Sequence, residues 1–456
     1  MSKQPFYTIE NRRLPPPPEN SPRIQIIGAG LAGSEAAFQL AERGYFVSLY
    51  EMRPNKMTEA HQTQHCAELV CSNTFKSKAP ESAPGMLKSE LQELGSLILS
   101  CGYQSQVPGG QALAVDREAF SNRVTETLEN HPRIEIQRQE VHQPFETGIT
   151  LIATGPLTAQ GLSNWLIEHM DVDDLYFYDA IAPIVDATTI DMDHAFLANR
   201  YDKGEEKAYL NCPLNQEEYE SFVQALLDAE KVPSKPFEKE KFYRGCQPIE
   251  AIAEGGRNSL RFGPMKPVGL TDPRTGEKPY AVLQLRPENQ SKSAYNLVGF
   301  QTKLKYGEQK KVFQTIPALK KAEYFRLGSV HRNTYVCGPK VLRPDLSLKN
   351  HPQVYLAGQI TGVEGYLEST ASGLLASLFI DQRIRNQPIT SPPINTALGA
   401  LLRHVIASNP KNYQPSGIHF GLIEPLAFES VVGLKRAEAR QAMASQAISN
   451  FKKWLN

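Results

Sequence analysis

A chain of 456 residues is too long for one small core and predicts two or three domains, or one large domain carrying an insertion. Its hydrophobic content of 41% and charged content of 21% fit a water-facing globular protein, and no run approaches the roughly 20 unbroken apolar residues of a membrane helix. Six cysteines without a CxxC pair argue against a disulfide scaffold and a structural zinc site, and the net charge of zero hides a basic stretch between Lys231 and Asn350 with 23 Lys and Arg against 10 Asp and Glu.

At the N-terminus, Asn11-Arg12-Arg13 leads into Pro15 to Pro18 with no apolar leader, so residues 1–22 read as a loose tail and the chain as cytoplasmic. Ile24 to Ile27 is a short apolar run ending at a glycine, the pattern of a buried parallel strand. Helix formers follow from Ser34 to Glu42, Gly44 sits where a C-terminal cap belongs, and a second apolar strand runs from Phe46 to Tyr50. That is one complete βαβ unit. Inside it, Gly28-Ala29-Gly30-Leu31-Ala32-Gly33 matches the dinucleotide fingerprint, and Glu51 follows at the expected spacing of about 20 positions to accept a hydrogen bond from the adenosine ribose. Gly28 permits the tight turn, Gly30 lets backbone approach the pyrophosphate, and Gly33 lets helix and strand pack closely.

Two later strands also end in glycine, Leu151-Ile152-Ala153-Thr154-Gly155 and Val354-Tyr355-Leu356-Ala357-Gly358. Strands this far apart belong to one sheet when a second domain is inserted between them. The expected fold class is therefore α/β: a Rossmann-type FAD-binding fold like that of glutathione reductase, with residues 23–190 and 331–456 forming the discontinuous FAD domain and 191–330 an inserted, basic, mixed α/β domain. The return at Gly155 and at Gly358-Gln359-Ile360-Thr361-Gly362 favours FAD over NAD. Such folds usually carry Asp where this chain has Gln359, which leaves a neutral amide to meet the cofactor. No second fingerprint occurs, so a nicotinamide would visit without its own Rossmann domain. Ser430 to Asn456 is Ala-rich and reads as helix.

The densest basic run, Lys303 to Lys321, holds Lys303, Lys305, Lys310, Lys311, Lys320 and Lys321 against Glu308, and points to a polyanionic partner. Tyr243, Tyr306 and Phe313 are the aromatics that could stack on bases. Solvated lysines neutralised by folding are the alternative.

Several blocks in order over much of the chain carry a resemblance: Gly28 to Gly33, Tyr50-Glu-Met-Arg-Pro54, Glu68-Leu-Val-Cys-Ser-Asn73, Arg244-Gly-Cys-Gln-Pro-Ile-Glu250, His331-Arg-Asn-Thr-Tyr335 and Gly358-Gln-Ile-Thr-Gly-Val-Glu-Gly-Tyr-Leu-Glu-Ser369. Together they resemble the folate- and FAD-dependent tRNA (uracil-5-)-methyltransferases, relatives of the glucose-inhibited division protein A family. The resemblance implies methylation of C5 of uridine at position 54 in the T loop of tRNA, with 5,10-methylenetetrahydrofolate as carbon donor, reduced FAD as carrier and reductant, and NAD(P)H as electron source. Such chemistry needs a thiolate to add at C6 of uracil, because C5 is a poor nucleophile until something does. The resemblance points to Cys71 and Cys246, with Cys71 favoured as the group near the reacting carbon and Cys246 as its partner; which one attacks C6 stays open. It also suggests that His331 stacks on the pterin, with Tyr366 and Glu364 lining the same pocket. Cys101 and Cys337 read as inert.

Other readings are a tRNA wobble-uridine carboxymethylaminomethyl-modifying FAD protein, which is longer at its C-terminus, and a flavin-dependent disulfide reductase using the Cys66 and Cys71 spacing. A non-catalytic RNA-binding flavoprotein would leave the thiols unexplained.

Overall fold

The computed structural model describes residues 15–19, 21–170, 176–202, 207–232, 247–287, 292–410, 413–423 and 436–455. Strands Ile24–Ile27, Val47–Tyr50 and Ile149–Ile152 are buried at every position, as parallel strands covered on both faces must be. They form one five-stranded parallel sheet in the order Val354–Leu356, Ile149–Ile152, Ile24–Ile27, Val47–Tyr50, Ile134–Gln137. Ile24 faces Val47 on one side and Ile149 on the other, so the early strand is the centre of the sheet. The far-apart strands expected to share a sheet do so. The second strand begins at Val47 rather than Phe46, which is 61% exposed with the Arg133 guanidinium over its ring at 5.9 Å. The first helix starts earlier than Ser34, at Leu31, because the fingerprint residues themselves form its first turn.

Two buried carboxylates join helices to one another in the core around this sheet. Glu35, on the helix Leu31–Glu42, accepts from Ser96 Oγ at 2.8 Å and from the N–H groups of Leu97 and Ile98, the first turn of Leu97–Gln104. Glu90 does the same for the helix Ala397–Ala407, accepting from Ala397 N–H at 2.8 Å and Leu398 N–H at 2.7 Å. Orphan N–H groups at a helix start attract a carboxylate, yet burial outweighs them and pushes the Glu90 carboxyl up to about 8. The C-terminal helix Arg436–Leu455 adds Ala444, Ala447 and Phe451 to the same core.

A second, six-stranded antiparallel sheet runs in the order Phe196–Leu197, Leu210–Leu214, Ala281–Pro287, Ala294–Leu297, Ile184–Asp186, Tyr324–Arg326. It has its own core, in which Phe300 meets Phe222 at 5.7 Å and Phe313 at 5.9 Å between ring centres. The helix Gln216–Asp228 covers it: an Asn215 and Glu218 capping box starts the helix, and Tyr219, Phe222, Val223 and Leu226 repeat at helical spacing on its buried face. Tyr176–Ile181 pairs antiparallel with Ser329–Thr334 where the chain passes between the two sheets. No helix among the described residues is long and apolar enough to cross a membrane.

Candidate active site

The glycine loop is shaped by what would collide with it. Gly28 sits at φ +101, and a Cβ there would lie 2.7 Å from Ala153 O. At Gly33 a Cβ would fall 1.8 Å from Gly28 O, closer than any atoms can approach. Gly30 differs: a Cβ would meet nothing nearer than Ala153 O at 4.0 Å, so its open side is free for a ligand. No side chain caps the helix that begins at Leu31, which leaves first-turn N–H groups of Leu31, Ala32 and Gly33 for an anion. Beside them lies a cleft of about 620 Å³ lined by Gly28, Gly30, Glu51, Met52, Thr154 and Leu162 among others.

Glu51 is prepared before any ligand arrives. Its Oε2 accepts from Ala29 N–H at 3.1 Å, and its Oε1 accepts from Arg53 N–H at 3.1 Å and Arg53 Nε at 3.0 Å. Arg53 is only 2% exposed and spans to Glu68 Oε2 at 2.9 Å, a buried ion pair that fixes the loop between them. Burial would raise the Glu51 carboxyl, but the hydrogen bond and charge of Arg53, with the Arg53 and Ala29 N–H groups, outweigh it and hold the carboxyl below its ordinary 4.5. A depressed acid contributes fully above its unfolded value and loses that contribution as the pH falls through the folded one. Binding of a nucleotide that needs the Glu51 carboxylate should therefore persist at pH 4.5 and be lost only further down, as the folded-state carboxyl takes up its proton. Glu51→Gln should bind the nucleotide about tenfold more weakly at neutral pH and lose the acid-dependent limb, read as cofactor fluorescence in an ultrafiltrate across a pH series.

The later strands bring further glycines to the same end of the parallel sheet. Gly155 stands at φ +66 with nothing within 4 Å of its hypothetical Cβ. After Val354–Leu356, Gly358 donates its N–H to Ser372 Oγ at 3.0 Å, Gln359–Thr361 makes one tight turn, and Gly362 ends it in a left-handed conformation. Gln359 Nε2 donates to Glu364 Oε2 at 3.0 Å, so the acid missing at position 359 stands beside it. The helix Tyr366–Ile384 starts from Gly365, again with no side-chain cap.

Cys71 lies half-buried on the loop between Ala67 and Asn73, outside any disulfide. Tyr366 Oη accepts from Cys71 N–H at 2.7 Å and Ser72 N–H at 3.0 Å. Burial first, and then the neighbouring Cys71, push the Tyr366 phenol above its ordinary value, so it keeps its proton. Arg117, opening the helix Arg117–Glu129, donates Nη1 to Leu69 O at 2.5 Å and Nη2 to Cys71 O at 3.2 Å. Beneath the loop, Lys76 pairs with the fully buried Glu368 at 2.6 Å. The structure thus brings Cys71 and Tyr366 together, two residues singled out from separate blocks.

Cys246 and Tyr243 lie outside the described residues. His331 falls on Ser329–Thr334 opposite Asp179, with its side chain outside them as well. Cys66, Cys101 and Cys212 are buried, and burial pushes their thiols up to about 11, 12 and 12. Cys337 is only half-buried, with Sγ 3.9 Å from Pro410 O, rather than sealed in a core. Tyr306 is exposed, but Phe313 is not available for stacking: it is fully buried in the second core. Gln309, Val312 and Phe313 form the inward face of the helix Tyr306–Phe313, a spacing that would have revealed it. Of the basic run, Lys305, Lys310 and Lys311 are paired with Glu230, Glu323 and Glu308. Arg53, Arg117 and Arg326 were not foreseen as site residues, although Arg53 stands within a block quoted above.

The chain matches the family model described as glucose inhibited division protein A over residues 23–388. It is 50% identical over 434 residues to the methylenetetrahydrofolate–tRNA-(uracil-5-)-methyltransferase TrmFO of Desulforamulus reducens, covering 95% of this chain and 97% of that one. The protein of the same name from Geobacter sulfurreducens is 50% identical over 432 residues, covering 95% and 98%; that of Natranaerobius thermophilus is 52% identical over 404 residues, covering 89% and 93%. Among solved structures, GidA of Aquifex aeolicus superimposes with a TM-score of 0.65 at 15% identity, covering 96% of this chain and 76% of that one, which shows the shared fold.

Proposed function

This chain belongs to the glucose-inhibited division protein A family, and from that premise we infer that it is the folate-dependent tRNA (uracil-5-)-methyltransferase its relatives are named for, acting on uridine 54 of the T loop. The observation that carries the reading is identity of about 50% over 95% of the chain to proteins of that name. The donor is 5,10-methylenetetrahydrofolate and the cofactor FAD, for which the open side of Gly30, the uncapped helix at Leu31 and the Glu51 carboxylate form a fitting cradle. Gly155, Gly358, Gln359 and Gly362 would close it from the later strands. When bound and reduced, FAD supplies the electron pair that turns a folate-derived methylene into methyl, and NAD(P)H would restore it.

The chain's own part is to make uracil nucleophilic. A thiolate adds to C6, the electron pair moves to C5, and C5 forms its bond to the one-carbon unit. A base then takes the C5 proton as the bond from the one-carbon unit to its carrier nitrogen breaks, the amine leaving with the electron pair; a hydride added to the resulting C5 methylene makes it methyl and expels the thiolate from C6. Cys71 is one thiol for this cycle and Cys246 the other. Tyr366 and Arg117 hold the Cys71 backbone, and His331 and Tyr366 would face the pterin. The target base sits inside a folded loop, so it must be turned out of its stack to reach the thiol. The second module, rich in Lys and Arg, would hold the RNA backbone, and a tRNA substrate fits a cytoplasmic location. The names of the relatives support the methyltransferase reading and not the flavin disulfide reductase one.

The test is to incubate flavin-loaded protein with unmodified tRNA transcript, methylenetetrahydrofolate and NADH or NADPH, then digest to nucleosides. We expect 5-methyluridine, lost when position 54 of the transcript is changed. No product from fully loaded protein overturns the reading.

A further inference from the structure

The loop that carries Cys71 is held from both sides of the molecule. Arg117 and Tyr366, from the flavin module, take the carbonyls of Leu69 and Cys71 and the N–H groups of Cys71 and Ser72. The carbonyl left between them, Val70 O, is taken by Arg326 Nη2. Arg326 ends the strand Tyr324–Arg326, the edge of the six-stranded sheet, and reaches across 256 positions of sequence to do so.

On the other side of the thiol, the second module fastens Asn73. Arg286 Nε donates to Asn73 Oδ1 at 2.8 Å, and Asn73 Nδ2 donates to Pro287 O at 2.9 Å and Val115 O at 3.0 Å. Asn73 is fully buried and Arg286 nearly so, which makes this a structural rivet. The flavin module already holds residues 69, 71 and 72 through their backbone. To the second module the loop is tied twice, at Asn73 after the thiol and at Val70 before it. A guanidinium is suited to this because its charge strengthens the bond to a neutral carbonyl and its planar fork fixes direction.

We propose that Arg326 is a positioning residue for Cys71: by holding Val70 O it makes the alignment of the thiol depend on the second module being seated against the flavin module. The module that would receive the RNA thereby also sets the geometry of the group that acts on its base. This rests on the reading that Cys71 works at the reacting uracil.

The test compares flavin-loaded Arg326→Ala and Arg326→Lys with wild type and with Cys71→Ala. Four quantities are read: single-turnover formation of 5-methyluridine, tRNA Kd, bound flavin, and the rate at which iodoacetamide labels the peptide containing Cys71, followed by mass spectrometry without RNA or folate. Loss of alignment by about an ångström costs up to about a hundredfold in rate, so Arg326→Ala should lower turnover by about 10- to 100-fold. Its tRNA Kd and flavin content should stay within about twofold of wild type, and Cys71 labelling should change by about threefold or more as the loop loosens. Arg326→Lys, which keeps a charged donor, should recover part of the turnover. Unchanged turnover overturns the proposal. So does lost turnover with unchanged labelling and weaker tRNA binding, which would make Arg326 an RNA contact. If Cys71→Ala stays fully active, the catalytic reading of Cys71 falls, whereas the labelling rate still decides separately whether Arg326 positions that loop.

Discussion

Cys71→Ala should reduce 5-methyluridine formation by at least about a thousandfold while leaving the protein yellow. The two halves of that result rest on different residues. On the proposal that Cys71 is one of the two reacting thiols, loss of activity is expected because the loop offers no substitute: its neighbours Val70 and Ser72 cannot supply a thiolate. Retention of flavin follows from the loop being held through its backbone. The bonds from Arg117, Arg326 and to Tyr366 all involve main-chain atoms of residues 69–72 and survive loss of the sulfur. A half-buried Cys to Ala change also removes little packing. Turnover is read by nucleoside analysis and flavin by its visible absorbance. Normal turnover would remove Cys71 from the chemistry, and colourless protein would make it a structural residue.

Gly33→Val should give colourless protein. Any side chain there would place its Cβ 1.8 Å from Gly28 O and 3.0 Å from Gly28 C, both backbone atoms that cannot swing aside. The helix must retreat from the strand, and overpacking of this kind costs about 3 kcal/mol or more. Gly30→Ala is the control, since its Cβ would touch nothing closer than 4.0 Å and should leave the fold intact while crowding only the ligand. Thermal unfolding should therefore fall for Gly33→Val and stay near wild type for Gly30→Ala, with flavin-to-protein ratios low in both. Full flavin loading in Gly33→Val would mean that the fingerprint is not the cradle.

What could be read from sequence here was local. The run Ile24 to Ile27, the glycines behind it and Glu51 announce themselves within one βαβ unit, and the apolar runs ending at Gly155 and Gly358 repeat its signature. The Phe313 error was also local, a single aromatic considered without the Gln309 and Val312 that share its helix face. The clamp around Cys71 was of another kind. Tyr366, Arg117 and Arg326 meet the loop from 295, 48 and 256 positions away, and no periodicity connects them. Arg53 was hidden for a related reason: arginine normally signals surface, and only a pair of flanking carboxylates, Glu51 and Glu68, makes its burial tolerable.

The order of strands in the parallel sheet has a consequence for how the protein is made. Its central strand precedes by far in sequence Val354–Leu356, which closes one edge, and the helix Tyr366–Ile384 that packs on the glycine-loop helix follows that. Everything in between, including the whole six-stranded sheet, is synthesised first. The nascent chain must therefore carry a glycine loop lacking its covering helix through most of translation, and pairing across so long a separation is slow. Completion of the glycine loop's surroundings is therefore a late event in synthesis, and the strands that wait for their edge partner stay exposed until then.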